Sequence, residues 1–102
     1  MNNIVELSQE ITDILETIKA TINKDTDYVW THFNSIDELL TALNDYIARV
    51  KNSDHTVYSQ LAFEFAPTST FQELSISNRW GRDFLALAAR FDAIYEKVKR
   101  FI

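Results

Sequence analysis

Residues 80–101 read WGRDFLALAARFDAIYEKVKRF, and the spacing of their large apolar side chains decides the fold. Trp80, Phe84, Leu87, Phe91, Ile94, Val98 and Phe101 recur at intervals of four and three, which is one face of an α-helix and not the alternation of a strand. The spacing predicts a helix from about Asn78 to the C-terminal end, buried along a broad arc that Ala88, Tyr95 and Ile102 widen.

The same period recurs upstream. Ile4, Leu7, Ile11, Ile14 and Ile18 form a stripe, flanked by Leu15 and Ile22, that predicts a helix over 4–22. Ile36, Leu40, Leu43, Ile47 and Val50 form another, and Ser35 followed by Glu38 matches a capping box that starts it. Three stripes averaging 3.5 residues are the pattern of helices packed at shallow angles. Glycine and proline occur once each, at Gly81 and Pro67, too few for the turns of an all-β domain.

Residues 56–65 read two ways. Val57, Leu61 and Phe65 suit a helix capped by Asp54, while Val57, Ser59, Leu61, Phe63 and Phe65 alternate as in a strand. A lone strand would have no partner for its ladder, so helix is expected. Pro67 ends it, and a short turn over 70–76 follows with Phe71 and Leu74 inward. The expected fold is all-α: one antiparallel four-helix-bundle-like domain spanning 1–102, its third helix broken at Pro67.

The chain has 102 residues, 46 % apolar and 13 % aromatic, which supplies a core without disulfides or metals. It has no cysteine, which removes thiolate sites and cysteine nucleophiles. No apolar run approaches the roughly 20 residues that span a bilayer. Met1-Asn2-Asn3-Ile4 lacks the basic and apolar blocks of a secretion signal. A cytoplasmic protein without membrane contact is expected. Net charge is −5, which disfavours nucleic acid as a partner. Residues 1–51 hold nine acids against four bases, whereas 79–100 hold six bases against three acids. An acidic first helix beside a basic last helix is expected, with Glu6, Glu10 and Asp13 forming an acidic line on the first.

Chemistry-bearing patterns are few. Neither His32 nor His55 follows an acid at the Glu-x-x-His spacing of di-iron bundles, and a phosphate loop needs more glycine than one. No metal ligand set, cofactor site or catalytic residue is therefore assigned. Arg49 and His55, with five residues between them, resemble the Arg-x(n)-His motif of HEPN-type ribonucleases, themselves helical bundles. The resemblance implies a ribonuclease centre at this pair. It departs from the motif in Val50, where a polar residue is usual, and in placing His55 past a helix end.

Asp27-Tyr28-Val29-Trp30-Thr31-His32-Phe33 gathers three aromatics in one connection. An aromatic cap over one end of the core is expected, with a ligand lid or partner anchor as the alternative. Residues 66–82 hold the lone proline and glycine among polar groups. There Thr68, Ser69, Gln72, Asn78, Arg79 and Arg82 are possible partner or anion contacts, and Gly81 suggests a close neighbour that excludes a side chain. Leu85, Ala86, Ala89 and Ala93 line the outward face of the last helix, where a second copy could pack. The resulting expectation is a non-catalytic interaction or regulatory module whose partner is another protein or itself. An acidic inhibitor or immunity-type protein with a basic target is the alternative.

Overall fold

The computed structural model describes residues 3–102. Met1 and Asn2, half of the stretch read for a secretion signal, lie outside the described residues. Five helices follow in order: α1 (Ile4–Ala20), α2 (Ile36–Lys51), α3 (Val57–Phe65), α4 (Thr70–Ser77) and α5 (Gly81–Val98). Among the described residues there is no strand.

Local chemistry sets the boundaries. Asn3 Oδ1 accepts from Glu6 N at 2.9 Å and starts α1. Ser35 Oγ accepts from Glu38 N at 3.0 Å, so the capping serine starts α2 where the sequence placed it. α1 stops at Ala20, two residues before the expected end, as Thr21 Oγ1 turns back onto the Ile18 carbonyl at 2.6 Å. α2 ends in a Schellman turn. Ser53 takes φ 59°, Ser53 N donates to Val50 O and Asp54 N to Arg49 O.

Residues 57–65 are helical, which settles the helix-or-strand ambiguity. Thr56, not Asp54, occupies the N-cap, and Asp54 instead accepts from the Thr56 amide and hydroxyl. Ala66 is extended, with ψ 152°, as a residue before proline must be to avoid the ring. α5 begins at Gly81 and not near Asn78. Arg79 takes φ 70°, and the bonds Arg79 N to Ile76 O and Trp80 N to Ser75 O form a second Schellman turn, which reverses the chain between α4 and α5. Trp80 is the N-cap, half-buried against the core, and Phe101 lies beyond the helix and exposed.

α1 packs on α2 and α5, and α3 packs on the same two helices from the opposite corner. The start of α1 (Ile4, Val5, Ser8) meets the end of α2 (Val50, Lys51), so that pair is antiparallel. Leu7 likewise meets Lys97 in the last turn of α5 and Arg100 and Phe101 just beyond it. At the other corner Phe65, ending α3, stacks on Phe91 of α5 at 4.3 Å, while Tyr58 near its start stacks on Tyr95 at 6.2 Å. The result is an antiparallel bundle whose third helix bends at 66–69 and continues as α4 against α5. Leu7, Ile11, Leu15, Leu43, Leu61, Phe71 and Phe91 are among the wholly or nearly wholly buried side chains at its centre.

The acidic α1 and basic α5 do lie side by side. Among the described residues no ion pair joins them; the pairs present are Arg49 with Asp45 and Asp54, Lys99 with Glu96, and His32 with Glu64. Apolar burial holds this contact, which fits the small worth of exposed charge pairs.

Candidate interaction site around a buried glutamate

Glu64 is wholly buried. A carboxylate removed from water is costly unless its oxygens are satisfied, and three elements satisfy this one. From α2, Tyr46 Oη donates to Oε2 at 2.8 Å. From the start of α4, Thr70 Oγ1 donates to Oε1 at 2.7 Å. From the connection 21–35, His32 Nε2 lies 3.0 Å from Oε1. Burial, and then the Glu64 carboxylate, push the Tyr46 phenol well above the ordinary tyrosine range. Among the described residues no buried side-chain nitrogen or oxygen lacks a partner.

Sequence reasoning missed this cluster. A signal was present, since Glu64 follows Leu61 by three and Val57 by seven and so sits on the inward stripe of α3. Its partners are 32, 18 and 6 residues away, and nothing local announces them.

The cluster ties down the connection between α1 and α2. His32 fastens one end of the segment. Asn78 fastens the other, donating from Nδ2 to Asp27 O and accepting from Asp27 N, each at 2.8 Å. Between these anchors Val29 N donates to Asp27 Oδ1, and Thr31 Oγ1 donates to Tyr28 O. The backbone between them is a tight, self-bonded turn.

The expected aromatic cap is realised only by Phe33, which is buried. Trp30 is 69 % exposed and Val29 71 %, because the turn at 28–31 points them away from the bundle. Phe63 adds a third exposed large side chain at 57 %. It lies one position before Glu64 and so on the outward side of α3, with its ring 6.3 Å from His32. His32 and Phe63 thus lie side by side and exposed, and Val29 and Trp30 are exposed on the turn that immediately precedes His32 in the chain.

The residues singled out in 66–82 divide. Thr68, at φ 64°, donates its amide to Gln72 Oε1, and Ser69 is the N-cap of α4 without a side-chain cap bond. These three close the bend on itself. Asn78 is the anchor described above. Arg79 and Arg82 are exposed and, among the described residues, in no ion pair. Gly81 excludes nothing: a Cβ there would meet Ile76 Cγ1 at 3.6 Å, an ordinary contact. Leu85, Ala86, Ala89 and Ala93 are exposed along α5. Arg49 is engaged by Asp54, Asp45 and Thr56, while His55 lies 6.3 Å from Tyr58, ring to ring.

Among the described residues no His, Asp or Glu group of three could hold a metal ion, and no helix is long and apolar enough to cross a membrane. Comparison with known proteins returns no family model, no curated protein and no solved structure that matches the chain.

Proposed function

We propose that this protein is a non-catalytic interaction module that binds another protein through the surface formed by Val29, Trp30, His32 and Phe63. The observation that carries the reading is the exposure of Trp30 on a segment pinned at both flanks, by Asn78 to Asp27 and by Glu64 to His32. A monomer gains nothing from displaying a tryptophan, a phenylalanine and a valine to water. Tryptophan is among the residues that dominate binding energy when covered by a partner. Pinning the turn before binding removes part of the ordering cost that a floppy loop would meet on association.

The test is affinity capture from extract of the source cells with three baits: the wild-type chain, Trp30→Ala/Phe63→Ala, and Leu85→Ala as a control for the outward face of α5. The expected result is a captured protein retained by wild type and Leu85→Ala and lost with the double variant. Retention by the double variant, at unchanged helicity, sinks the proposal. Loss with Leu85→Ala alone would move the contact to α5, where Leu85 is 60 % exposed, and sedimentation of the purified chain would then show whether the partner is a second copy.

A further inference from the structure

The charges on the connection that carries Val29 and Trp30, and on the first turn of the helix after it, point to the kind of partner. Resting on the reading of Val29, Trp30 and Phe63 as a docking surface, we infer that its partner is a basic amphipathic protein segment, an apolar face bordered by lysine or arginine. The connection and the first turn of α2 carry Asp25, Asp27, Asp37 and Glu38 against Lys24. All four acids are exposed, and among the described residues none belongs to an ion pair. Arg79 borders the segment through its neighbour Asn78, yet it neutralises none of them within ion-pair distance.

Apolar side chains on a segment whose margin in the chain is acidic, Asp25 and Asp27 before them and Asp37 and Glu38 after, complement an apolar face that carries basic residues. Such complementarity steers encounter and fixes register more than it adds affinity. It also selects against partners: an acidic or phosphate-bearing surface would bring like charges against the carboxylates. A helix with apolar residues at i, i+3, i+4 and i+7 and lysines beside them has the shape to cover two or three projecting side chains.

The probes are three synthetic peptides of about 18 residues, long enough for a stable helix on binding. The first is a lysine/leucine amphipathic helix, the second its glutamate/leucine counterpart, and the third a lysine/serine sequence of equal charge with no apolar face. Binding is read by tryptophan fluorescence and by backbone amide shifts over 24–38. Two charge variants of equal net change accompany the wild type. One neutralises the margin (Asp25→Asn/Asp27→Asn/Asp37→Asn/Glu38→Gln); the other neutralises α1 (Glu6→Gln/Glu10→Gln/Asp13→Asn/Glu16→Gln).

The lysine/leucine peptide should bind wild type and the α1 variant alike, and the margin variant about tenfold more weakly, as expected when several exposed charge pairs are removed at once. Salt should weaken it as screening shortens the reach of those charges. The other two peptides should bind far less.

Equal loss in both charge variants would reduce the effect to bulk charge and overturn the inference. So would tighter binding of the glutamate/leucine peptide, or no binding of any peptide. The underlying surface fails separately, if Trp30→Ala/Phe63→Ala binds the lysine/leucine peptide as wild type does while the margin variant does not.

Discussion

Glu64 and Asp54 are two acidic side chains with nearly the same number of partners and opposite surroundings. Glu64, itself wholly buried, gathers a phenol and a threonine hydroxyl inside the bundle and an imidazole that reaches it from the surface. Asp54 gathers the Arg49 guanidinium at 2.9 Å and the Thr56 amide and hydroxyl at 3.1 and 2.6 Å, with 39 % of its side chain in solvent. Counting hydrogen bonds would rank them as equals. Burial separates them, since water can replace every partner of Asp54 and none of Glu64's. Glu64 therefore fixes how the connection, α2 and α4 meet, whereas Asp54 shapes a turn that the α2 Schellman bonds already define.

The sharpest way to break this contrast is Glu64→Ala. It leaves the Tyr46 and Thr70 hydroxyls buried without their acceptor and opens a void. Losing one member of such a buried set costs about 3–5 kcal/mol, read as a lower denaturation midpoint in urea at unchanged slope. His32 also loses its tether, so the amides of 29–33 should exchange with solvent faster than those of α2. A loss of less than about 1 kcal/mol, the level of an exposed pair, would erase the distinction.

Tyr46→Phe removes one donor and leaves the shape. It should cost about 1–3 kcal/mol, the penalty for a buried acceptor stripped of its partner. The same residue gives a pH signature. A phenol held protonated in the folded state supports stability fully below the ordinary tyrosine range, near pH 10, and that support fades as pH rises further. Wild type should therefore lose stability above about pH 10, and Tyr46→Phe should lack that share of the loss. In an ultraviolet titration the variant should lack one phenol that ionises above the ordinary tyrosine range. Thr70→Val, which keeps volume and drops one hydroxyl, should cost about 1 kcal/mol, because His32 still contacts the same oxygen.

The helical stripes were legible in the sequence because burial of α1, α2 and α5 is periodic and local, and Ser35 announced the start of α2. The bend at Pro67 was legible for the same local reason. Turns built on residues other than glycine were not. Ser53, Thr68 and Arg79 all hold positive φ, a conformation that carries a steric penalty for side chains with a Cβ, and only tertiary context selects it. That is why α5 was expected to start near Asn78. The site was half legible. The aromatic segment 27–33 stood out, but composition cannot say that Phe33 turns inward and Trp30 outward. That choice depends on Asn78 and Glu64, 51 and 32 residues away.

The smallest effect belongs to Asp54→Asn, and its pH dependence tests the contrast most finely. Asparagine keeps an oxygen for the Thr56 amide and hydroxyl and loses the charge facing Arg49. Those two Thr56 bonds and the guanidinium hold the Asp54 carboxyl below the usual carboxylate range. A carboxyl so depressed contributes stability above its unfolded value, near pH 4, and loses it as pH falls through the lower folded value. Wild type and Asp54→Asn should thus differ slightly in urea midpoint at neutral pH and converge on acidification. The difference should stay below that of Thr70→Val throughout, and about 0.5 M salt should shrink it further. If Asp54→Asn instead matched Tyr46→Phe at neutral pH, the surface clasp would weigh as much as the core network, and burial would not be what sets the two carboxylates apart.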